Sequence, residues 1–406
     1  MRWLLAFLLF ALLADAPGLA RADGAFPDEL QVFAPPTLPH ELVVGTNYGL
    51  LQSSDDGQTW SWLCEPAVSN QLVNAYGVAA DGQLYALSGT GLSRSSDRGC
   101  TWSATTVAPG VRDVSDLFAS PTDANRALAI AFDGAQFGLY GTTDRGATWT
   151  GPSLTGTLFG VELAHADGTR AYASAYQPSD SAHAVVYRSD DSGQHWTTLP
   201  HAELGDVYMF IAAVDPSDAG TVWFRLVSAS GTGGDALAVT HDSGATVTVM
   251  LQAPGMLSAL AVGADHTVWA ADRANHLWRL DSGASAFTQL AGPAVRCLAE
   301  RAGVLYACGD AQTDGFVLGA SADRGATFQP LVTTTGYQTL ACAAAARTCP
   351  TVNGVDAGSP APDAGTALPP APSPGCGCAS TPELGLAALL ALFAFAGRYR
   401  STRTRK

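Results

Sequence analysis

The sequence predicts an all-β fold, a single seven-bladed β-propeller, and two observations carry this prediction. The first is an eight-residue phrase, met as SSDDGQTW at residues 53–60, that occurs seven times along the chain. The aspartates of successive copies stand 39 to 51 residues apart, and a near-constant period of this length is typical of repeat architectures. The second is that each period holds the pattern of four short strands, and such a meander repeated in every period makes a propeller blade.

The period 74–106 shows how each repeat is built. Three short runs rich in β-forming residues, at 75–79, 83–88 and 91–95, are joined by glycine-containing turns, which is the pattern of consecutive hairpins. The phrase follows the third run, and the residues after it supply the fourth strand. The first–second and third–fourth turns of such a sheet lie on one rim of the ring, and the second–third turns lie on the opposite rim.

Two segments could complete the first blade and close the ring. The stretch GYQTLACAA, residues 336–344, follows the last copy of the phrase and resembles the first strand of another blade. The stretch ELQVF, residues 29–33, could supply the same strand from the other end of the chain. Both possibilities stay open at the level of sequence.

Most copies of the phrase keep a small hydroxyl residue, an aspartate, a glycine and an aromatic residue at fixed positions, although the fifth copy ends in Val247. The sixth copy, RLDSGASAF, is degenerate: Asp281 and Gly283 remain, and the aromatic Phe287 stands one place late. The carboxylate can accept hydrogen bonds from backbone amides, the glycine allows a positive φ, and the aromatic ring can hold the turn against its sheet. The phrase resembles the Asp-box, Ser/Thr-x-Asp-x-Gly-x-Thr-Trp, of the BNR or sialidase-like repeat families, which implies a propeller with a box between the third and fourth strands of each blade. Because a phrase present in every blade cannot be one catalytic site, we expect a structural role for these residues: Asp55, Gly57, Trp60, Asp97, Gly99, Trp102, Asp144, Gly146, Trp149, Asp191, Gly193, Trp196, Asp242, Gly244, Asp281, Gly283, Asp323, Gly325 and Phe328.

The N-terminal residues predict export. Residues 1–22 combine a basic start, an apolar run and an Ala-Arg-Ala sequence, which is the pattern of a cleaved signal peptide. We therefore expect the mature chain to begin near Asp23 and the propeller to occupy residues 23–349. Residues 350–375 are rich in proline, alanine and glycine and hold no aromatic residue, which predicts a disordered stalk.

The last segment, residues 376–406, joins a Cys motif to a short apolar stretch and a basic tail. Cys376 and Cys378 precede the apolar residues 384–397, and arginines and one lysine follow. This order resembles the MYXO-CTERM surface-sorting tail of myxobacterial exported proteins. The resemblance implies a transmembrane sorting helix, its removal by a sorting protease in the membrane, and a cysteine kept on the anchored product; the alternative is an ordinary C-terminal anchor. Either way the protein is expected at the cell surface or outer membrane, or released from it.

Charge and composition exclude one class of partner. The formal net charge is −15, and the single lysine is Lys406. Nucleic-acid phosphates require clustered lysine and arginine, so nucleic-acid binding is excluded. No cysteine pair has zinc-site spacing with matching histidines, and no phosphate-binding loop or hydrolase motif is present. We therefore expect no metal and no cofactor.

The cysteines between the two ends are even in number, which in an exported protein indicates disulfide bonds. Cys297 and Cys308 flank the turn of a predicted hairpin and could pair across it. Cys342 and Cys349 bracket the sequence AAAART, and we expect them to secure the end of the domain. The remaining two would join the first two blades: Cys64 and Cys100. The sequence does not establish this connectivity.

The candidate ligand site lies on the rim opposite the phrase turns. Two predicted second–third loops, residues 177–184 and 227–236, are unusually long and belong to neighbouring blades. Because loops on a rigid scaffold commonly carry function, we predict a polar pocket there formed by Asp180, His183 and Asp235. The alternative is that these are ordinary solvated loops.

These features favour a non-catalytic binding or adhesion module for an extracellular protein or glycan, similar to single-domain Asp-box propellers such as the photosystem II assembly factor. The alternative is a secreted glycoside hydrolase. Xyloglucan-cleaving enzymes built from Asp-box propellers use paired carboxylates, although they set two propellers face to face and this chain has one. A sialidase is disfavoured because the arginine motif of that family is absent; the nearest string is WFRL around Arg225.

Overall fold

The computed structural model describes residues 31–69, 73–89, 91–111, 113–177 and 183–352, and these form an all-β propeller. The first strands are β1 (Gln31–Phe33), β2 (Leu42–Thr46), β3 (Gly49–Ser53), β4 (Ser61–Cys64), β5 (Val73–Val78), β6 (Leu84–Ser88), β7 (Gly91–Ser95) and β8 (Ser103–Thr105). The middle strands are β9 (Asp113–Ala119), β10 (Ala127–Phe132), β11 (Phe137–Thr142), β12 (Thr150–Leu163), β13 (Ala171–Gln177), β14 (His183–Ser189), β15 (Thr197–His201), β16 (Val207–Val214), β17 (Val222–Ser228), β18 (Ala236–Thr240) and β19 (Thr248–Gln252). The last strands are β20 (Leu257–Val262), β21 (Val268–Asp272), β22 (Leu277–Leu280), β23 (Thr288–Leu290), β24 (Cys297–Arg301), β25 (Val304–Cys308), β26 (Leu318–Ser321), β27 (Gln329–Val332) and β28 (Gln338–Thr339).

Helices in the described residues are few and short. They are α1 (Glu65–Val68), a 3-10 helix (Ala202–Leu204) and α2 (Ala343–Thr348). No helix in this part of the chain is long and apolar enough to cross a membrane. The predicted signal peptide, most of the stalk, and the sorting helix with Cys376 and Cys378 lie outside the described residues.

The prediction of seven separate four-stranded blades is wrong. Backbone hydrogen bonds join the described strands into six sheets, one of five strands, one of seven and four of four. Five sheets therefore form single blades, and β9 to β15 form one continuous sheet that carries two copies of the phrase. This wide sheet lies in the ring between the blade of β5 to β8 and the blade of β16 to β19.

The long strand β12 accounts for this difference. The sequence pattern predicts a connection between the last strand of one blade and the first strand of the next. In the structure, Thr150 to Gly156 pair with β11 and Thr157 to Leu163 pair with β13, with no turn between the two halves. The backbone stays extended over these fourteen residues. The hydrogen bonds therefore continue from the four strands β9 to β12 to the four strands β12 to β15 without a gap; each such set of four strands is called a blade-sized unit below.

Both ends of the described chain attach to the first sheet. β1 pairs antiparallel with β2 and is the innermost strand, so the part of the 29–33 segment that the structure describes supplies the first strand. β28, from the competing 336–344 segment, instead adds to the outer edge and pairs in parallel with β4. The first sheet is therefore complete from N-terminal residues, and the C-terminal segment covers its outside.

The hydrophobic core lies between the faces of neighbouring sheets. Tyr85 of β6, Tyr172 of β13 and Phe224 of β17 are fully buried. Tyr85 packs with Val114 and Tyr140, which belong to the next sheet around the ring. Since each sheet buries both faces against its neighbours, the second strands read as nearly continuous apolar runs, as expected of sheets that pack face to face.

All copies of the phrase lie in the turns between the third and fourth strands of their blade-sized units. In six copies the first hydroxyl donates to the aspartate Oδ1 at 2.7–2.8 Å. The amide four residues after the aspartate donates to the same oxygen at 2.8–2.9 Å. Hydrogen bonds from the threonine side chains and amides lower the pKa of Asp55 and Asp144 to about 2. The aspartates are therefore ionised, and each stabilises its turn by accepting hydrogen bonds from residues of that turn.

The phrase turns also fasten each unit to the preceding one. Gly99 has φ 87°, and a Cβ there would stand 2.6 Å from the Leu63 side chain of the first sheet, so glycine is required for both reasons. A side chain of the preceding sheet also donates a hydrogen bond to the residue that follows the aspartate of the turn: Gln52 Nε2 donates to Arg98 O at 3.0 Å. In the corresponding turn of the first sheet, Arg301 Nη2 donates to the side-chain Oδ1 of Asp56 at 3.3 Å, which fastens the last sheet to the first. The turns that carry the phrase therefore connect neighbouring units of the ring.

The sixth, degenerate copy is held by an ion pair instead. Arg279 occupies the position of the hydroxyl residue, and its Nε lies 2.9 Å from Asp281 Oδ1. A second guanidinium, from Arg324, approaches the same oxygen at 3.4 Å. A charged side chain therefore replaces the hydroxyl contact in this turn.

The disulfide bonds differ from those predicted in two of three cases. Cys297 and Cys308 stand opposite each other on β24 and β25 and are joined, as the hairpin predicts. Cys64 is bonded to Cys349 with a Cα–Cα distance of 5.5 Å, so the proposed Cys64–Cys100 and Cys342–Cys349 bonds are wrong. The helix α2 separates Cys342 from Cys349 and holds their Cα atoms about 10 Å apart, which is too far for a disulfide bond.

Candidate functional site

The predicted loop pocket is only partly visible in the structure. Asp180 lies outside the described residues. His183 begins β14 and is half-buried. It lies near Glu203, whose burial would raise the pKa of that carboxyl group, but the hydrogen bond with His201 lowers this pKa on balance. Glu203 accepts this hydrogen bond from the buried His201 at 2.8 Å. The ligand-binding role of these residues stays a prediction.

Asp235, the third predicted residue, is built into the interior of its blade. Its carboxylate lies 2.7 Å from Arg225 Nε, and both side chains are 7% exposed. The same oxygen accepts the backbone amide of Leu257 at 2.8 Å, in the first strand of the next sheet. The Arg225 side chain lies over the Phe210 ring at 5.6 Å. These contacts give Asp235 a structural function between two blades.

A cavity of about 300 Å³ lies in the centre of the ring. Its walls come from the innermost strands β1, β5, β9, β12 and β16 and from residues that follow three of them. The wall residues occupy the ends of these strands that lead into first–second turns, which is the rim of the phrase turns. The cavity is therefore at the opposite end of the channel from the predicted loop pocket. Its apolar wall includes Phe33, Pro35, Val78, Phe118 and Ile211.

Two carboxylates line this cavity, and both bind neighbouring inner strands. Asp116 Oδ2 accepts the amide of Val161 at 2.8 Å. Glu162 Oε1 accepts the amide of Val214 at 3.2 Å. The inner edge of a sheet carries amides without a strand partner, and these acids supply the missing acceptors across the gaps between units. Their first function is to join the inner strands.

His165 is a titratable group on the cavity wall with a strongly lowered pKa. Burial lowers its pKa to about 4, although the Asp215 carboxylate opposes this shift. Its ring lies 6.4 Å from the Phe118 ring. At neutral pH the imidazole is therefore neutral, and it can donate one hydrogen bond and accept another. It supplies a polar position on a largely apolar wall.

Replacing His165 with asparagine should reduce the acid sensitivity of the fold. In the unfolded chain His165 binds a proton below its ordinary pKa of 6.5, whereas in the folded protein it binds one only below about pH 4. The free energy of unfolding therefore decreases as the pH falls from 6.5 to about 4. At about 1.4 kcal/mol per pKa unit, the wild type should lose about 3 kcal/mol that His165→Asn keeps. Urea unfolding between about pH 7 and about pH 4 measures the difference. The variant His40→Asn, at an exposed position, is the control, and equal acid sensitivity of all three proteins would contradict a His165 that stays neutral in the folded protein.

A second pair of carboxylates lies near the phrase rim of the last two sheets. An added Cβ at Gly263 would stand 2.9 Å from Asp265 Oδ1 and 3.5 Å from Glu300 Oε2, so the two groups are close. Burial and the nearby Asp265 raise the pKa of Glu300. Burial alone would raise the pKa of Asp265, but hydrogen bonds from Thr267 and the charge of Arg324 lower it on balance. Carboxyl groups whose pKa values diverge in this way are suited to acid and base roles.

The sequence reasoning missed the cavity residues and this acid pair. Asp116 and Glu162 lie in β9 and β12, where a charged residue among apolar ones is a usable signal for a position facing the channel. Asp265 and Glu300 meet only through the neighbouring turns of two sheets, and no sequence spacing indicates that. Among the described residues, no group of three or more histidine, cysteine, aspartate or glutamate side chains could hold a metal ion.

Comparisons with known structures define the class as a β-propeller protein. A GH74 enzyme from Niastella koreensis superposes with a TM-score of 0.57 at 14% identity, covering 77% of this chain and 55% of that one. An ancestral GH74 enzyme gives 0.52 at 12% identity, covering 71% and 44%. Sqt1 of Saccharomyces cerevisiae gives 0.51 at 13% identity, covering 77% and 87%.

These likenesses concern the fold alone, because the identities are low. The chain spans about half the length of the two GH74 enzymes that it matches. No protein-family description and no curated protein matches the chain. The particular activity therefore has to be argued from the residues of this chain.

Proposed function

We propose that this chain is an exported, surface-anchored β-propeller that binds an extracellular protein or glycan at its central cavity and catalyses no reaction. The observation that carries the proposal is the composition of the cavity: its two carboxylates, Asp116 and Glu162, are engaged by backbone amides of neighbouring strands. The rest of the wall is mainly apolar. A cavity of this size accepts one sugar ring or one aromatic side chain, and apolar walls with few polar groups are typical of ligand pockets.

Export and anchoring are supported by the sequence of the two ends. The signal-peptide pattern, the Pro-rich stalk and the basic tail after an apolar stretch together indicate a domain held away from a membrane. Brief protease treatment of intact cells should release a fragment that contains the propeller. Release only after cell lysis would contradict surface display.

Filling the cavity should abolish binding without unfolding the protein. Ala212 lines the cavity at an irregularity of β16, and Ala212→Phe would place a ring in the space the ligand needs. We expect at least about a tenfold loss of affinity for the tightest-binding member of a glycan array or of a panel of extracellular proteins, measured by calorimetry.

The matched control is Ala135→Phe, in the exposed turn between β10 and β11 on the opposite rim. It should keep wild-type affinity. Equal affinity of Ala212→Phe and wild type would place the binding surface elsewhere and contradict the cavity as the site.

A second candidate function, glycoside hydrolysis, is favoured by the paired carboxyl groups of Asp265 and Glu300. Glu300, with its raised pKa, would donate a proton to the leaving oxygen, and ionised Asp265 would act as nucleophile or base. Incubation with plant and bacterial polysaccharides, followed by measurement of new reducing ends, separates the two functions. We expect no release; release that Glu300→Gln abolishes and Glu41→Gln preserves would replace the binding function with hydrolysis.

A further inference from the structure

The two cysteines left without a disulfide bond in the described residues, Cys100 and Cys342, lie against each other. The Cys342 side chain is near enough to Cys100 to help raise the pKa of its thiol, and neither cysteine is in a disulfide bond. Cys100 belongs to the phrase turn of the second sheet, and Cys342 immediately precedes α2. We propose that Cys100 and Cys342 form a third disulfide bond in the mature, exported protein.

The surroundings place both cysteines on one rigid support. The turn that carries Cys100 packs through Gly99 against Leu63, the neighbour of Cys64 in β4. The segment before Cys342 is attached to the same strand, since the Leu340 amide donates to Trp62 O at 2.7 Å. Leu340, Cys342 and Trp102 also pack against a single apolar cluster. The segments that carry the two cysteines are therefore held against the same strand and the same apolar cluster by contacts that do not depend on a bond between the cysteines.

The bond would fix the second of the two ends of α2 covalently. The C-terminal end of this helix is already fixed by the Cys64–Cys349 disulfide, which joins it to the first sheet. A Cys100–Cys342 bond would fix its N-terminal end to the second sheet. The C-terminal segment would then be covalently joined to two adjacent sheets, and the gap between these sheets could not open without breaking a bond.

The chemistry requires an external oxidant, for which we name a small-molecule disulfide such as oxidised glutathione. One cysteine thiolate attacks a sulfur of the oxidant, which forms a mixed disulfide and releases one thiol. The second thiolate attacks the cysteine sulfur of the mixed disulfide and releases the second thiol, so two protons and two electrons leave the protein. Burial and the Cys342 side chain raise the pKa of the Cys100 thiol to about 12, so closure should be slow at neutral pH and faster in alkaline buffer.

Peptide mapping of the exported full-length chain tests the inference. The protein is alkylated in denaturant without reductant, digested and examined by mass spectrometry. We expect a cross-linked peptide pair containing Cys100 and Cys342 beside the pairs Cys64–Cys349 and Cys297–Cys308. Alkylated Cys100 and Cys342 after exposure to oxidised glutathione, or a cross-link of Cys100 to Cys64, would overturn the inference.

Single variants supply an independent readout. Cys100→Ser should expose Cys342 to alkylation, and Cys342→Ser should expose Cys100, while Cys64–Cys349 stays intact in both. Because either substitution removes the same bond, the two variants and the double variant should show the same lowered unfolding temperature. If the decreases in unfolding temperature of the two single variants added up in the double variant, a shared bond would be contradicted. The same holds if the remaining cysteine of a single variant is alkylated no more than in the wild type.

Discussion

Replacing Asp235 with alanine is expected to lower the free energy of unfolding by about 4 kcal/mol, because removal of one partner leaves a buried charge without its counter-ion. Arg225 and Asp235 are almost entirely buried and lie 2.7 Å apart. The substitution also removes the acceptor of the Leu257 amide, which joins two sheets. Urea unfolding at neutral pH gives the magnitude directly.

The double variant Arg225→Met/Asp235→Leu is the informative control. It removes both charges together and keeps similar volume, so it should be considerably more stable than Asp235→Ala. A loss below about 1 kcal/mol for Asp235→Ala, combined with loss of ligand binding, would contradict the structural function and support the ligand role that the sequence predicts for this residue.

Loss of the Cys64–Cys349 bond is the second large effect that we expect. The cysteines are 285 residues apart, and chain-entropy arguments assign about 6 kcal/mol to a loop of that length. The change Cys64→Ser/Cys349→Ser should reach this value when Cys100 and Cys342 are also serine, because a second bond across the same segment would otherwise share the constraint. Thermal and urea unfolding without reductant measure it.

The matched control is Cys297→Ser/Cys308→Ser, which opens a loop with a sequence separation of 11 and should cost about 3 kcal/mol by the same argument. Equal losses for the long and the short loop would contradict the chain-entropy explanation. No loss for the long loop would mean that β28 and α2 hold the C-terminal segment without a covalent bond.

The sequence was most informative where structure is local. The hydroxyl, aspartate and glycine of each phrase interact within five residues, so the pattern alone predicts a turn, and the structure shows these hydrogen bonds in six copies. The continuity of β12 is not local. Whether residues 156–157 turn or stay extended depends on the partner strands β11 and β13, which the sequence of β12 does not contain.

The same limit applies to the candidate site and the disulfides. Cys64 meets Cys349 because β28 is added to the outer edge of the first sheet, and a spacing rule cannot foresee that addition. Asp235 looked like a loop carboxylate because its partner, Arg225, lies across a hairpin and its other contact lies in the next sheet. The contacts of residues that lie between sheets depend on how the ring closes. For these contacts the predictions from sequence were least reliable.

The attachment of the C-terminal segment to the outside of β4 has a mechanical consequence. Tension applied to the chain beyond Val352 passes to Cys349 and then, through a covalent bond, into Cys64 at the end of β4. The pairing of β28 with β4 precedes Cys349 in the chain, so the disulfide bond takes load that would otherwise peel β28 from β4. A domain tethered from this end would receive the load at the outer strands of the first sheet, at the opposite edge of that sheet from β1, which lines the cavity.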